Sequence, residues 1–390
     1  MNILFYFISQ INPRSGGTER VADNVAHGLR GRGHNVFYMS RTSVPGDYDI
    51  PCFFLPDIEG FTQRNIDYVN RFCQKYRIDV IINEAGNTDD IYLMSKEHIH
   101  GVRIITELHF CPYQNFKYYY RSTHLPLSAR HPWTTAVNLL KWIKTPFNKR
   151  MHWRNTTARY RYMYDHSDRV VVLSPSYIGE FAEIAGLRNT DRLCSIYNPN
   201  TFVASTKTCA KEKMVLSIGR LDFSPKKVDY LLRIWKKVQP KHPDWILSVC
   251  GDGPARLYLE NIVRKECIAG VRFEGNVSPQ TFYERASIMC MTSIYEGTPM
   301  VIIEAMQCGC IPMVYDTYAA ARDMINDGTD GFVIPPFDEV MYAKKLACLM
   351  DNASVMAKMR HNAMQSSKRF DCNIIIEQWE KLLSNSNKHL

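Results

Sequence analysis

The sequence predicts an α/β protein made of two doubly wound parallel sheets in tandem. Three observations predict it. Short runs rich in Val, Ile and aromatics alternate with amphipathic stretches along the chain, and strands buried on both faces read as such near-continuous apolar runs. The alternation breaks once, near Asn198 and Pro199, where the polar stretch Thr201–Lys213 has no clear period, and then restarts. The length, 390 residues, suits two to three domains at roughly 150 residues each.

The elements follow in order. Asn2–Ile8 reads as a strand, Thr18–Arg30 as a helix and Asn35–Ser40 as a second strand. Ile78–Ile82, Val102–Thr106 and Arg169–Leu173 continue the first sheet. After the break, Met214–Ile218 is a strand, Val228–Val238 a helix and Ile246–Cys250 a strand. Val271–Glu274, Ile288–Thr292, Ile311–Val314 and Gly331–Ile334 extend the second sheet, and Ile374–Leu383 reads as a closing helix. The expected domains are 1–197 and 214–370, with a linker over 198–213. A C-terminal helix and tail over 371–390 is able to return to the first domain. Strands joined by helices imply right-handed crossovers. Ligands of open α/β sheets bind at the carboxyl ends of the strands, so a cleft between two such edges is expected. Residues with chemical character should follow strands.

Composition excludes several classes. Hydrophobic residues are 45% and charged residues 22%, ordinary for a globular protein. No uncharged apolar run approaches the ~18 residues of a membrane-spanning helix. The 12 cysteines include no Cys-x-x-Cys, so free, mostly buried thiols in a reducing compartment are expected rather than a disulfide scaffold or a zinc site. The run Ile3–Ile8 has no basic residue before it and no small-residue cleavage site after it, which predicts a strand, not a signal peptide, and a cytoplasmic protein.

The net charge of +9 is local. From Leu108 to Tyr164, 57 residues, there is no Asp or Glu, while ten Lys and Arg and 13 aromatics fall there; the rest of the chain carries 38 basic and 39 acidic residues. Trp133, Ala136, Val137, Leu140 and Phe147 share one helical face, with Lys141, Lys149 and Arg150 off it. Lys144 intrudes on the stripe, and Pro146 is expected to kink the helix. Basic residues attract anionic headgroups, and aromatics such as Trp142 settle at the water–hydrocarbon boundary. The segment reads as a helix lying on the inner face of a membrane. The plainer reading is a helix packed on its own domain with a solvated basic face. Nucleic acid is not expected, because no recognition motif accompanies the basic run.

Four groups of residues carry chemical character. Gly16 and Gly17 sit in Ser15-Gly16-Gly17-Thr18-Glu19-Arg20 at the start of a helix, where free N–H groups suit a phosphate and where a purely structural turn is equally at home. Arg220 and Lys226 straddle a loop after the first strand of the second half; two cations there suit a diphosphate, or are simply solvated. Tyr295-Glu296-Gly297-Thr298-Pro299 follows another strand, and Glu304 lies in the helix Pro299–Gln307 among Val301, Ile302, Ile303, Ala305 and Met306. A carboxylate in that setting is costly to bury unpaired, and sugar hydroxyls would pair it; exposure on the helix is the alternative. His109 follows the strand Val102–Thr106 and reads as structural or as part of a site. Gly251-Asp252-Gly253-Pro254 reads as a tight strand-to-helix turn.

In this order and spacing the chain resembles glycosyltransferase family 4, the group 1 type. The resemblance runs through Gly16-Gly17-Thr18-Glu19-Arg20, Arg32-Gly33-His34-Asn35-Val36, Asn198-Pro199, Gly219-Arg220-Leu221, Lys226 with Asp229 and Gly251-Asp252-Gly253-Pro254. It closes with the E-x7-E motif from Glu296 to Glu304, followed by Ala305, Met306 and Gly309. The resemblance implies a GT-B fold of two facing Rossmann-like domains. It implies a retaining transfer from a nucleotide-sugar, UDP favoured, to a hydroxyl of a glycan or polyprenyl-diphosphate-linked acceptor in cell-surface polysaccharide synthesis, without metal or other cofactor. Arg220 and Lys226 would then neutralise the leaving diphosphate, and Glu304 would hold the ribose. Glu296, with Gly297, Thr298, Pro299 and Met300, would contact the donor. Gly16 and Gly17 would approach the phosphates, and His109 would sit beside the transferred sugar. Lys141, Trp142, Lys144, Lys149 and Arg150 would form the acceptor and membrane surface. The family usually has Lys-Gly where this chain has Lys226-Lys227, so Lys227 could share the phosphate role. A different GT-B enzyme, such as a sugar-nucleotide epimerase, and a non-catalytic anion- or membrane-binding module are the alternatives.

Overall fold

The computed structural model describes residues 1–12, 16–43, 49–86, 88–114, 116–118, 132–202 and 210–384, with backbone only at 132–135 and 137–142. The chain divides into two compact units. The first comprises Met1–Tyr113, Trp153–Thr201 and Phe370–Leu390, and the second comprises Gln114–His152 and Phe202–Arg369.

The first unit holds β1 (Asn2–Ser9), α1 (Gly17–Gly31), β2 (Asn35–Thr42), β3 (Cys52–Phe54), α2 (Gln63–Tyr76), β4 (Val80–Asn83), α3 (Asp90–Leu93) and β5 (Arg103–Leu108). Helix α4 (Pro132–His166) ends in it, and β6 (Arg169–Val172), α5 (Ser176–Ala185) and β7 (Leu193–Ser195) complete the sheet. The strands are parallel, in the order β3-β2-β1-β4-β5-β6-β7. Strand β1 is hydrophobic from Ile3 to Ile8 because both its faces are covered. Ile3, Phe5 and Phe7 pack with Val25 and Leu29 of α1, whereas Leu4 and Tyr6 pack with Val69 and Phe72 of α2. Helix α2 starts at Thr62, whose hydroxyl accepts from the Asn65 amide at 3.2 Å, satisfying one of the free N–H groups of a helix start.

The second unit repeats the plan. It runs β8 (Glu212–Ile218), α6 (Val228–Val238), β9 (Ile246–Cys250), α7 (Arg256–Lys265), β10 (Val271–Gly275), α8 (Pro279–Arg285) and β11 (Ala286–Met291). Then come α9 (Met300–Gln307), β12 (Ile311–Tyr315), α10 (Ala320–Met324), β13 (Phe332–Ile334), α11 (Glu339–Asp351) and α12 (Ala353–Ser367). The order is β10-β9-β8-β11-β12-β13, again parallel. In α6 the buried residues Val228, Leu231, Leu232, Trp235 and Val238 recur at helical spacing and face the core. Asp338 and Asn352 cap α11 and α12, accepting from the amides of Met341 and Val355 at 2.8 and 3.1 Å.

Three boundaries differ from the sequence expectation. The segment Gln114–His152, expected in the first domain, groups with the second unit. Tyr118 meets Phe337 edge-on there, ring centroids 5.0 Å apart, an apolar contact between positions far apart in sequence. Strand β8 begins at Glu212, inside the expected linker, of which 203–209 lie outside the described residues. The helix placed at Pro299–Gln307 begins at Met300, with Pro299 as its N-cap. Helix α4 continues through Pro146. Among the described residues no helix is long and apolar enough to cross a membrane.

The closing helix α13 (Cys372–Ser384) joins the first unit by its apolar face, where Ile375, Ile376, Trp379 and Leu383 pack into the core that holds β1 and α1. Trp379 is 2% exposed. Truncating a large buried aromatic leaves a cavity and costs about 3–5 kcal/mol, so Trp379→Ala should shift urea unfolding of the first unit by about that amount; a loss under about 1 kcal/mol would mean that α13 is dispensable to this core.

Candidate functional site

In the second unit the candidate residues gather where β8 and β11 lie side by side. Their connections leave in opposite directions at this point of the sheet order, which opens a crevice at the carboxyl edge. Gly219, Arg220 and Lys226 line a cavity there with Thr292 and Ser293. The Lys226 Nζ donates to Glu296 Oε1 at 2.7 Å, and both side chains are largely enclosed. Arg220 is 73% exposed, its Nε 3.2 Å from Asp222.

Backbone contacts hold the loop that carries Lys226. The Thr292 hydroxyl donates to the Lys227 carbonyl at 2.9 Å, and the Ile294 amide donates to the Pro225 carbonyl at 2.9 Å. Lys227 itself caps α6 in the left-handed region, φ 49° and ψ 48°. Glycine adopts that conformation freely, and a side chain does so at a cost of about 1–2 kcal/mol. The loop therefore keeps the shape that the usual Lys-Gly would give it. Of the two lysines, it is Lys226 that lines the cavity. Gly251 supports the same edge: a Cβ there would lie 2.0 Å from the Gly219 carbonyl oxygen. The Gly251–Pro254 turn thus buttresses Gly219-Arg220-Leu221 through backbone contact, with the Leu221 amide donating to the Asp252 carbonyl at 2.9 Å.

Glu304 lies inside α9 and is 3% exposed. It sits beside the buried Tyr283, whose hydroxyl is pushed well above its ordinary range by burial first and by the Glu304 charge second. Thr298 and Met300, at the start of α9, are also buried, and Gly297 and Pro299 complete the turn that joins Glu296 to the helix.

In the first unit a cavity of about 500 Å³ is lined by Gly16, Gly17, Thr18, Glu19, Glu84 and His109, among others. Gly16 and Gly17 sit at the N-terminus of α1, and Ser15 lies outside the described residues. Glu19 folds back over that end: a Cβ on Gly16 would lie 2.9 Å from its Oε2. A glutamate at this helix position serves the free N–H groups, so the carboxylate stands where the sequence placed a phosphate.

His109 is held by two carboxylates that the motif reading did not single out. Its Nε2 donates to Glu84 Oε2, and its Nδ1 is 3.8 Å from Glu107 Oε1. Burial pushes the His109 ring down, but the fields of Glu107 and Glu84 and the Glu84 hydrogen bond outweigh it and carry the ring up to about 9. Burial pushes the Glu107 carboxyl up to about 8, Glu84 adding to this and His109 opposing it. These three groups are close enough to suggest a metal site, yet the carboxylates approach opposite ring nitrogens, one by a hydrogen bond and one in ion-pair range, rather than sharing one ligand position. The sequence signal available was position: Glu84 follows the strand at Val80–Asn83, and Glu107 lies on β5 itself.

On α4, Lys144 and Arg150 are exposed and Lys149 is half-buried. Ile143, Phe147 and Met151, spaced i, i+4 and i+8, are 62%, 69% and 49% exposed. The side chains of Lys141 and Trp142, and of Trp133, Val137 and Leu140 in the expected stripe, lie outside the described residues.

Comparison with known proteins covers most of the chain. Residues 15–199 match the family model Glycosyltransferase Family 4, and residues 200–367 match Glycosyl transferases group 1. An uncharacterized glycosyltransferase of Haemophilus influenzae is 31% identical over 200 residues, 50% of this chain and 56% of that protein. A Campylobacter jejuni protein named GalNAc-alpha-(1->4)-GalNAc-alpha-(1->3)-diNAcBac-PP-undecaprenol alpha-1,4-N-acetyl-D-galactosaminyltransferase is 30% identical over 213 residues, 54% of this chain and 59% of that protein. The matched region is thus a little over half the length of these relatives. Alr3699/HepE of Anabaena, solved with UDP, aligns with a TM-score of 0.72 at 18% identity over 99% of this chain and 100% of that one. That likeness is one of fold, and the fold is GT-B.

The buried triad makes stability depend on pH. Folding raises both Glu107, from 4.5 to about 8, and His109, from 6.5 to about 9, so each holds a proton in the folded chain that the unfolded chain has released. Such a contribution is full at low pH and is lost as pH rises through the folded value. Melting temperature should therefore fall from about pH 5 to about pH 9, most steeply between about pH 6.5 and pH 8 where both groups differ between the states. Glu107→Gln, which needs no proton, should flatten that fall in a pH series of thermal melts; an unchanged slope would mean that Glu107 is already ionised in the fold.

Proposed function

We propose that this chain, which belongs to the group 1 glycosyltransferases of family 4, moves a sugar from a nucleotide-sugar, UDP favoured, to a hydroxyl of a glycan or lipid-linked glycan acceptor with retention at the anomeric carbon. The observation that carries this reading is the β8–β11 edge, where Arg220 and Lys226 line one cavity and Lys226 pairs with Glu296 beside it. Negative charge develops there on a departing diphosphate, and the enclosed Lys226 with the exposed Arg220 stabilises it. Lys226 rests on Glu296 at 2.7 Å, a carboxylate that keeps its charge in place and, with a donor bound, contacts the sugar. Glu304 holds the ribose hydroxyls, as the family resemblance implies. His109 lies beside the transferred sugar, and Gly16 and Gly17 approach the phosphates once Glu19 turns aside. No metal is needed in this scheme, because Arg220 and Lys226 supply the countercharge. The leaving phosphate takes the acceptor proton on the same face. Names of relatives support the acceptor class: the Campylobacter jejuni protein carries an undecaprenol diphosphate glycan in its name, and an Erwinia amylovora relative is named for amylovoran biosynthesis.

The place of work is the inner face of the cytoplasmic membrane. The exposed Ile143, Phe147 and Met151 beside Lys144, Lys149 and Arg150 support it, since an apolar stripe edged by cations suits an anionic bilayer.

Two measurements test this reading. Screening nucleotide-sugars with the purified full chain should find one donor, with Arg220→Ala or Lys226→Ala lowering turnover by on the order of 10²-fold and Lys227→Ala doing far less; a critical Lys227 with a dispensable Lys226 would overturn the assignment. In vesicle co-sedimentation, each basic residue near the surface contributes about 1 kcal/mol, so replacing Lys141, Lys144, Lys149 and Arg150 by Gln should abolish most binding at physiological salt. Equal sedimentation of both proteins would remove the membrane role and leave a packed helix with a solvated basic face.

A further inference from the structure

The buried triad in the first unit has a geometry that decides what His109 can do. Strands β4 and β5 are neighbours in register, with Asn83 opposite Thr106, so Glu84 and Glu107 are the next residues on adjacent strands, and His109 follows two places on. The turn after Glu84 lies tightly on the end of β5: a Cβ on Gly86 would stand 2.3 Å from the Glu107 carbonyl oxygen. The side chains of His109, Glu84 and Glu107 are 4%, 2% and 7% exposed. The Glu84 carboxylate hydrogen-bonded to Nε2 favours the charged ring, and Glu107 stands 3.8 Å from Nδ1.

We propose that Glu84 is a positioning residue that holds His109 in its charged form through Nε2, with Glu107 in ion-pair range of Nδ1, so that His109 serves as a fixed cation in the cavity wall and not as a proton-transfer base. The inference rests on the glycosyl-transfer reading of this cavity. A general base needs a nitrogen lone pair within reach of the proton it takes; Nε2 of His109 is bound to Glu84, and the charged ring keeps a proton on Nδ1, which lies 3.8 Å from Glu107 Oε1, in ion-pair range. The charged ring lines the cavity, where it attracts the oxygens of a bound sugar or phosphate. The titratable and charged groups around it come from several elements. Glu84 follows β4 and Glu107 is on β5; Glu19 of α1 lines the same cavity. The Glu107 charge reaches Cys194 of β7, as does that of Arg169 on β6.

Two readouts on the full chain test the clamp. In ¹⁵N-histidine-labelled protein, with the His109 signal identified by its loss in His109→Gln, both ring nitrogens should be protonated at about pH 7.5. In kinetics, turnover should fall on an alkaline limb, and Glu84→Gln should move that limb down by about one pH unit or more with little change in KM for the donor. A neutral His109 ring at that pH, turnover that rises with pH through the His109 titration, or a limb that Glu84→Gln leaves in place would each overturn the proposal. Should Glu84→Gln fail to fold, Glu84→Asp carries the kinetic arm and the wild-type spectrum stands by itself. A wild type that turns over no donor would instead remove the glycosyl-transfer reading, with the spectrum still deciding the clamp.

Discussion

A parallel strand covered by helices on both faces has no room for an unpaired polar side chain. That constraint governs both units. In β1 the alternate residues Ile3, Phe5, Phe7 and Leu4, Tyr6 all go into cores, one on each side of the sheet, and Tyr6 is admitted only with its hydroxyl donating to Asp90 at 2.9 Å. Burying an unpaired polar group costs several times what a made hydrogen bond returns. Polar and charged residues are therefore driven to the strand ends, and the helix starts with their free N–H groups gather at the same edge. Arg220, Lys226, Glu296, Glu84 and His109 all stand there, and they follow from the layer plan before any question of chemistry arises.

The two edges handle charge differently. In the second unit, Lys226 and Glu296 neutralise each other across 2.7 Å while remaining partly open, and the neighbouring Arg220 is exposed to solvent. Such a pair can open when an anion arrives: Lys226 takes the anion, and Glu296, partly open, is left to accept hydrogen bonds from hydroxyls of the ligand or from water. In the first unit, Glu84, Glu107 and His109 are closed off, and the protonation of Glu107 and His109 is set by burial and by the charges beside them. An enclosed cluster of that kind cannot lose a member cheaply; it holds geometry, where the open pair offers exchange. The basic, aromatic stretch around α4 is a third arrangement, with charge and apolar surface kept together on the outside. The chain concentrates all its excess positive charge there.

Much of this was legible in the sequence because local rules and tertiary demands agree. Val228–Val238 has the same bounds in sequence pattern and in structure, since its apolar residues repeat at the helical period and a turn stands at its start. The apolar strands were equally plain. The short strands Cys52–Phe54 and Leu193–Ser195 were not, because three residues carry no period and edge strands are bounded by their neighbours. Arg220, Lys226 and Glu296 were visible because motif spacing survives as loop geometry. Glu84 and Glu107 were not, because nothing local distinguishes them from surface glutamates.

By itself the sequence determined two doubly wound α/β units, the break between them, the concentration of cations in one segment and the residues at the strand ends, all of which depend on periodicity, turn chemistry and charge counted along the chain. Tertiary structure decided that Gln114–His152 groups with the second unit, that Lys227 takes a left-handed conformation so that Lys226 reaches Glu296, and that two carboxylates enclose His109. Each of those outcomes depends on contacts between residues distant in sequence, or on a backbone angle that neighbouring elements impose, and neither quantity is carried by a local pattern of residue types.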